Sequence, residues 1–520
     1  MKFTTKNFWS KLGKVIYKFK NVAIIKHILF FYLLITLIGS ALLMMPVSQT
    51  NNDVKYSDAL FTAASAFSDT GLVTVSTYNT WTSFGQAIIA VLILCGGIGI
   101  FAIKVYFINI LFGKPLSYNG SEALSAERGS IKIGITSHLI KTSVTILFAF
   151  IFLFSIGLTI YFYNAEVDMQ PVFDNPQDQI DAEGDLGISP YHNLSLSLRY
   201  GIFHTISSLN NAGFDIIGPN SLSPYYYETG LQVIILILFI SGGVGFPVIY
   251  DIYLWIRSKI KKENFKWSLF TKLSMATYVF VSFAGMILTI ILETSVKTSD
   301  SFWNEASGVY GSKGNKIFAL VFNSFSTRNA GFSTVNLHHF QHSTLMLYCV
   351  LMFIGSAPSS TAGGIRTTTM AVVILGIWNQ MRGRSSIRAF KTKINSSTAN
   401  RAYVVFTTSI LLCIFVALIG ISSISDYGGN LNTEGFSPTD SSGAVGKYGF
   451  MEILFETVSA FGTTGLSTGL TSGITLGYKL SLILLMFIGQ LGVSSTILLW
   501  GKRNSKSNKY EYVEQDITIG

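Results

Sequence analysis

Charge is scarce in this chain. Charged residues make up 12% of its 520 residues, which is about half of their share in a typical soluble globular protein. Hydrophobic residues make up 49%. This composition argues against an ordinary soluble domain and predicts a protein that spans a membrane.

Several kinds of chemistry are missing as well. The three cysteines, Cys95, Cys349 and Cys413, fall in apolar stretches and lack the spacing of metal ligands, so we expect them to pack as small side chains. The sequence has no G-x-x-x-x-G-K-[ST] phosphate loop, so we expect no nucleotide to be bound by this chain. No set of nucleophile, base and metal ligands converges, and an enzyme is not expected.

Eight apolar stretches are long enough to cross a bilayer, which takes about 20 residues per helix. They lie at about 22–46, 86–112, 139–163, 231–256, 273–293, 344–377, 403–424 and 479–500. The polar segments between them are too short for a substantial soluble domain. The first stretch is too long for a signal-peptide core and lacks a convincing cleavage site, so we expect it to be retained.

Basic residues cluster at the ends of alternate stretches. They lie before the first stretch and after the fourth, sixth and last, whereas the acidic residues from Asp168 to Asp185 follow the third. By the positive-inside rule both termini face the cytoplasm, and we expect a multi-pass protein of the plasma membrane in contact with lipid. Nucleic-acid binding is the alternative explanation, but the alternation favours a membrane and no nucleic-acid partner.

One polar unit recurs four times between apolar stretches. The copies are ALFTAASAFSDTGL, GIFHTISSLNNAGF, LVFNSFSTRNAGF and ILFETVSAFGTTGL. Their shared glycines are Gly71, Gly213, Gly331 and Gly465. Such repetition predicts four similar units, each consisting of a span, a short half-helix, a glycine turn and a second span.

The half-helices are expected to begin at Ala59, Gly201, Leu320 and Ile453 and to run for about ten residues, too few to cross a membrane. They must turn back, which is tolerated only inside protein or beside a watery cavity. Four of them around one axis predict a pore in which glycine turns offer carbonyl oxygens to a dehydrated cation. The alternative is that the glycines only allow close helix packing.

The chain resembles the Ktr/Trk/HKT superfamily of potassium transporters from the first stretch to the last. The resemblance rests on the four glycine segments and on CGGIGIF at 95–101, SGGVGFPVIYD at 241–251 and GSAPSSTAGGIRTTT at 355–369. Eight spans, a short N-terminus and the ending YVEQDITIG most resemble the Ktr membrane subunit, so the chain looks KtrB-like.

The resemblance implies an all-α integral membrane protein with four pseudo-repeated helix–pore-loop–helix units around one pore. Eight transmembrane helices and four re-entrant half-helices make up these units. A homodimer is also implied, with a cytosolic ring of nucleotide-binding regulatory (KtrA-like) subunits on the basic inner face. The expected organisation is a basic cytoplasmic N-terminus at 1–21, pore units at 22–138, 139–272, 273–402 and 403–501, and a cytoplasmic tail at 502–520.

The resemblance also implies the ion and the residues that bind it. Glycine at all four filter positions is the family pattern for K+, whereas serine at the first accompanies sodium selectivity; a role for Na+ as a stimulating ion is left open. The carbonyls of the K+ filter are expected to belong to Asp69, Thr70 and Gly71; Asn211, Ala212 and Gly213; Asn329, Ala330 and Gly331; and Thr463, Thr464 and Gly465.

The sixth apolar stretch is interrupted at 355–364, where proline and clustered glycine cannot readily continue a helix. By resemblance this loop is the intramembrane gate, with Arg366 at its cytoplasmic end; the alternative is a kink that serves packing. The expected gate residues are Gly355, Ser356, Pro358, Ser359, Ser360, Gly363 and Gly364.

The last span departs from the family pattern. Members usually carry a pore-facing arginine in F-x-G-R-x-G-P, whereas this chain reads MFIGQLGVSST at 486–496, with Gln490 at the arginine position. A fixed positive charge near a pore opposes the passage of cations. We therefore expect less restricted permeation unless another residue supplies the charge, and Lys479 lies too near the outer end to do so.

Other polar residues are less informative. The HHxxH sequence at 338–342 lacks the glutamate of a helical zinc motif, so a solvated loop is expected rather than a metal site. Glu456 and His204 lie in half-helices and are expected to brace the filter through hydrogen bonds. Asp69 and Asp215 are expected to concentrate cations at the outer mouth.

These observations favour a passive, regulated potassium uptake pore. The alternative is an ion-coupled secondary cation transporter, a Na+/K+ symporter with alternating access, in which discontinuous spans occupy matching positions of two related halves. The repetition here is fourfold, and only the sixth stretch is expected to be strongly broken. The pore is therefore the leading hypothesis.

Overall fold

The computed structural model repeats one order of helices four times. It describes residues 24–51, 53–99, 102, 106, 136–167, 188–218, 221–296, 301–304, 310–384, 386–424 and 449–500. The expected N-terminal segment at 1–21, the tail at 502–520, the acidic residues from Asp168 to Asp185 and most of 100–112 lie outside these residues.

Each unit contains a first helix, a pore helix and a second helix, which confirms the predicted all-α membrane fold. In chain order the helices are α1 (Ile24–Leu43), α2 (Tyr56–Phe67), α3 (Thr77–Thr80), α4 (Ser83–Gly97), α5 (Thr136–Asn164), α6 (Leu194–Leu209), α7 (Thr229–Gly243), α8 (Phe246–Lys261), α9 (Leu269–Thr294), α10 (Lys313–Ser326), α11 (His342–Phe353), α12 (Thr367–Met381), α13 (Ser396–Ile424), α14 (Phe450–Gly462), α15 (Leu476–Leu491) and α16 (Val493–Trp500). Short 3-10 turns lie at Pro46–Ser48, Ser223–Tyr225, Leu337–His339 and Leu470–Gly473.

The first helices α1, α5, α9 and α13 are long, apolar and unbroken, and each is able to cross a membrane. Between 28% and 33% of the most apolar window in each is buried inside the protein. The rest carries exposed aromatic and aliphatic side chains, such as Phe152 and Phe280 at 72% and 71% exposure. Such a surface suits hydrocarbon rather than water, and the protein is a multi-pass membrane protein.

The pore helices α2, α6, α10 and α14 are 12 to 16 residues long. They begin earlier than the sequence predicted, at Tyr56, Leu194, Lys313 and Phe450. At 1.5 Å per residue even the longest reaches about 24 Å, which is still short of the roughly 30 Å hydrocarbon core. Their last turns are buried on all sides by the other helices.

The sixth apolar stretch is not the only one that is interrupted, because the second helices of other units are interrupted as well. The expectation of a single strongly broken span was wrong. In unit 2, α7 and α8 meet at an angle of 100°. The break falls at Gly245, whose φ is +88°. Gly99 and Gly492 take matching φ values of +86° and +84° after α4 and α15. The predicted spans 231–256 and 479–500 are therefore each two helices.

Within the described ranges, a two-stranded hairpin is the one sheet in an otherwise helical fold. Strands β1 (Arg388–Ala389) and β2 (Thr392–Lys393) pair antiparallel, with Arg388 opposite Lys393. The turn between them, at Phe390 and Lys391, has positive φ angles. This hairpin lies in the basic segment after α12.

Candidate functional site

The four glycine turns meet around one axis. A Cβ atom added to Gly71 would collide with the carbonyl oxygen of Ala212, and one added to Gly465 would collide with that of Thr70. The same relation holds between Gly213 and Ala330 and between Gly331 and Thr464. Each glycine thus abuts the carbonyl that precedes the next glycine, and the four turns form a closed ring, here called the glycine ring.

The backbone has the same shape in each turn. The glycine φ angles are +88°, +68°, +76° and +88° in chain order. The residue two positions earlier is also left-handed in every copy: Asp69, Asn211, Asn329 and Thr463. Asp and Asn tolerate this conformation better than other residues with a Cβ, whereas a β-branched threonine is strained there. Strain at Thr463 indicates a constraint from its surroundings.

The same backbone hydrogen bond occurs in all four units and holds each turn to its pore helix. The amide of the residue before the glycine donates to the carbonyl of the repeated serine, at 2.8 to 2.9 Å. These serines are Ser65, Ser207, Ser326 and Ser459. The hydroxyls of Ser207 and Ser326 also donate to the carbonyls of Phe214 and Phe332 at 2.6 Å. The recurring serine of the sequence is therefore a brace for the turn.

A second brace comes from the middle of the pore helix. The Glu456 carboxylate is completely buried and accepts hydrogen bonds from Ser467, Thr468 and Thr471 at 2.6 to 3.2 Å. His204, at the equivalent position of unit 2, faces the Ile216 amide at 3.5 Å. Both side chains bond to the segment that follows the glycine, as the sequence predicted.

The repeated glycine motifs of the second helices seat the pore helices. A Cβ atom on Gly96, Gly242 or Gly489 would collide with the carbonyl of Phe67, Leu209 or Phe461 at the end of the neighbouring pore helix. The glycine three residues later is the left-handed break described above. Close approach and a sharp bend therefore explain both glycines of G-x-x-G.

The loop at 355–364 lies against one side of the glycine ring and is buried. A Cβ atom on Gly355 would collide with the carbonyl of Gly363, so the two ends of the loop touch. The Ala357 amide donates to Gly243 at 3.2 Å, and the Phe246 amide donates to Ser359 at 3.0 Å. The loop thereby bonds to backbone groups on both sides of the break in unit 2, which satisfies a requirement for an interrupted helix in a membrane.

Gln490 connects the ring to this loop. Its amide nitrogen donates to the Asp69 carboxylate at 3.0 Å and to the Thr361 carbonyl at 3.1 Å. Arg366, the residue before α12, donates to the Gln490 carbonyl at 2.9 Å and to the carbonyl of Ala362. A guanidinium group therefore lies beside the backbone position where the family pattern has arginine.

Similarity to known proteins agrees with this geometry. The family model described as TrkH, cation transport protein, matches residues 27–510. The chain belongs to the TrkH family. An uncharacterized cation transporter of Mycoplasma genitalium is 33% identical over 96% of this chain and 97% of its own length. The Ktr system potassium uptake protein B of Bacillus subtilis is 31% identical over 92% of this chain and 93% of its own length.

A solved structure shares the fold. The potassium transporter TrkH from Vibrio parahaemolyticus aligns with a TM-score of 0.61, covering 91% of this chain and 83% of that chain at 14% identity. An identity this low supports the common TrkH architecture only. The family is one of cation transport proteins.

One residue of this TrkH-family site was missed from the sequence. Arg328 is fully buried and donates to the carbonyls of Leu351, Ile354 and Gly355, at 2.9 Å for Leu351 and 2.8 Å for Gly355. Its guanidinium lies 5.3 Å from the ring centre of Tyr278. It caps the carbonyl end of α11, where the helix stops. A lone arginine in a re-entrant segment was the available signal.

The placement of Asp69 corrects the sequence prediction. Its side chain faces Gln490 on the loop side of the ring, not the mouth on the opposite side. The chain leaves each pore helix on the loop side and then runs away from it, so residues before the glycine and after it lie on opposite sides. Asp215, which follows Gly213, bonds to the Ile217 and Gly218 backbone on the other side.

The HHxxH histidines and the three cysteines are spread over several helices and a 3-10 turn. His338 and His339 belong to a 3-10 turn, and His342 begins α11, where it lies 3.8 Å from Glu452. In the part of the chain that the structure describes, His, Cys, Asp and Glu side chains form no group of three suited to a metal ion. Cys349 and Cys413 are buried, and Cys95 is partly buried.

Proposed function

We propose that the chain is a passive, gated potassium uptake pore of the plasma membrane with both termini in the cytoplasm. The closed glycine ring is the observation that carries this function, because four matched turns around one axis can replace the water around a bare cation. The filter carbonyls belong to the three residues of each turn, from 69–71 to 463–465. The name of the Bacillus subtilis relative, a potassium uptake protein, supports K+ as the ion.

The electrostatics of the pore helices support a cation. Each of the four directs its carbonyl end toward the ring, where the helix dipole adds negative potential without a bound anion. The driving force is the membrane potential, which supplies about 2.3 kcal/mol per charge for every 100 mV. Ion-pumping chemistry within the chain is not needed for uptake.

The buried loop at 355–364 acts as the gate, since it lies against the glycine ring and contacts residues of several units. Regulation belongs to cytosolic nucleotide-binding subunits that attach to the basic face, and two chains form a dimer with one pore in each. In this proposal the pore units lie at 22–138, 139–272, 273–402 and 403–501, each beginning within seven residues of the start of its first helix. Growth rescue with and without Na+ tests whether sodium stimulates uptake.

A sodium-coupled symporter is the second candidate. The observation that favours it is the series of breaks at Gly99, Gly245 and Gly492, because discontinuous helices are typical of secondary transporters. The breaks follow the fourfold repeat rather than two halves, and this supports the pore. Potassium uptake that persists after the sodium gradient is abolished would exclude obligatory coupling.

The test is growth of potassium-uptake-deficient cells at limiting K+, with and without Na+. We expect the wild type to rescue growth and Gly71→Ser to shift the ion preference toward Na+, because the added side chain would displace the Ala212 carbonyl. The control is Gly477→Ser, at a helical site where a Cβ would meet no described atom within 4 Å. Failure of the wild type to rescue, or unchanged preference in Gly71→Ser, would contradict the proposal.

A further inference from the structure

Three of the four left-handed residues of the glycine ring contact the loop through their own side chains, and the fourth, Asp69, is linked to it through Gln490. In unit 4 the Thr463 hydroxyl accepts from the Gly363 amide at 2.7 Å. In unit 3 the Ser356 hydroxyl donates to the Asn329 side-chain oxygen at 3.2 Å. The remaining two contacts converge on Thr361.

The contacts on Thr361 come from Asn211 of unit 2 and from Gln490 of unit 4, which also bonds to Asp69 of unit 1. The Asn211 side-chain amide lies 3.0 Å from the Thr361 hydroxyl. Asp69 reaches the Thr361 carbonyl through Gln490, with distances of 3.0 and 3.1 Å. Units 2, 3 and 4 therefore each supply a direct polar contact to the loop, and Asp69 of unit 1 is linked to it through Gln490.

All of these groups are buried. Asp69, Asn211, Asn329 and Thr463 are each 0% exposed, and Thr361 is 1% exposed. Inside a protein a polar group that loses its partner and gains no water is costly. The loop can therefore leave this position only if all four contacts break together or water enters beneath the ring.

We propose that Asp69, Asn211, Asn329 and Thr463 form a latch that holds the loop against the inner end of the filter. This inference rests on the proposed function of the ring as a filter and of the loop as its gate. The latch makes the two devices interdependent, because the residues that shape the inner end of the filter backbone also hold the gate closed.

The two roots of the loop are held separately from the latch. Arg328 bonds to the carbonyls of Leu351, Ile354 and Gly355 at the first root. Arg366 bonds to Ala362 and Gln490 at the second. Once the latch opens, the middle of the loop is held by the backbone bonds of Ala357 and Ser359 to unit 2, while its ends remain attached. The latch residues are positioning residues for the gate.

The test compares Thr463→Val with Thr463→Ser in purified full-length protein reconstituted into vesicles. Valine keeps the shape of threonine but cannot accept the Gly363 hydrogen bond, whereas serine can. We expect basal K+ efflux to rise about fivefold in Thr463→Val, a change of about 1 kcal/mol in the closed state. Thr463→Ser keeps a hydroxyl that can accept this bond, so its efflux should rise less than that of Thr463→Val.

Two further variants protect the test from a folding defect. Ser356→Ala breaks the unit 3 contact from the loop side and should also raise basal efflux. The control is Thr36→Val in α1, where the hydroxyl bonds only within its own helix, to Tyr32 at 3.0 Å, and efflux should not change. The K+ preference over Na+ should be kept in Ser356→Ala and Thr36→Val, because neither residue belongs to the ring.

The outcomes separate the latch from the proposed function. Wild-type efflux with no rise in Thr463→Val and Ser356→Ala would overturn the latch alone. A loss of K+ preference together with lower efflux would also overturn it, since that result indicates a damaged filter. Absence of K+ flux in the wild type and in every variant would overturn the proposed function itself.

Discussion

Gln490 places a neutral amide group where the family pattern has a positively charged arginine. An arginine at this place would carry its positive charge to the inner end of the ring, whereas the glutamine amide joins Asp69 to Thr361 without a net charge. The guanidinium of Arg366 bonds to the Gln490 carbonyl instead. A positive group is therefore present nearby, held by the backbone rather than by the filter.

Substitution of Gln490 should change flux in opposite directions according to the new side chain. Gln490→Arg places a charge close to the ion path, and we expect K+ flux to fall about tenfold because the barrier for a cation rises. Gln490→Met has a similar length but loses both hydrogen bonds, and we expect basal flux to rise. Flux from reconstituted vesicles measures both. If flux rose in both variants or fell in both, the charge at residue 490 and the hydrogen bonds of its side chain would not have opposite effects on flux.

Residue roles were predictable where the sequence repeats and unpredictable where a contact is unique. Four aligned copies identified the glycines and the serine that supports each turn. The bridge from Gln490 to Thr361 joins residues far apart in the chain and has no counterpart in the other units, so no repeat could reveal it. The error for Asp69 came from treating the turn as a point rather than as a segment that runs from one side of the ring to the other.

The second helices are the elements that the sequence described least well. Hydropathy remains high through SGGVGFPVIYD, so the apolar stretch looks continuous although the chain bends by 100°. Glycine in an apolar stretch is also common in straight membrane helices that pack closely. The bend at Gly245 depends on partners from the loop, which are distant in sequence.

The bend in unit 2 and the loop should be coupled. Gly245→Ala adds a Cβ only 2.8 Å from the Pro358 carbonyl at a φ of +88°. Gly492→Ala has nearly the same φ, +84°, but its Cβ would meet no described atom within 4 Å. Both variants should lose about 1–2 kcal/mol of stability from backbone strain.

Only Gly245→Ala should raise basal flux, because only there does the new methyl group push on the loop. Thermal unfolding in detergent measures the shared loss of stability, and vesicle flux measures the difference. Equal flux in the two variants would mean that the loop does not rest on the bend of unit 2.

The whole molecule is closed by contacts between the pore helix of one unit and the second helix of the preceding unit. Arg199 donates to Gln86 at 2.6 and 3.0 Å between units 2 and 1. Lys479 bonds to Asp58 at 2.6 Å between unit 4 and unit 1, the two ends of the chain. Both side chains of that pair are about nine-tenths buried, at 12% and 10% exposure.

Loss of the Lys479 charge should weaken the closure of the ring. Lys479→Met leaves the Asp58 carboxylate with only the Thr74 hydroxyl, which donates to it at 2.8 Å, and we expect a loss of roughly 2 kcal/mol. The double variant Asp58→Lys with Lys479→Asp should recover part of it. The exposed Lys272→Met is the control. Thermal unfolding measures the wild type, these three variants and the single changes Asp58→Lys and Lys479→Asp; a double variant less stable than both of these single changes would contradict a direct pairing.

Unit 3 differs from the other three units because it carries the 355–364 loop, and this difference has a consequence for how a single loop can come to lie at the ring. Four separate identical subunits would bring four copies of the 355–364 segment to one axis, and symmetry would leave room for none of them to occupy the centre. Fusion of the modules into one polypeptide removes that restriction. A single unit is then able to differ from the rest and supply the loop, while the other three present different side chains around it.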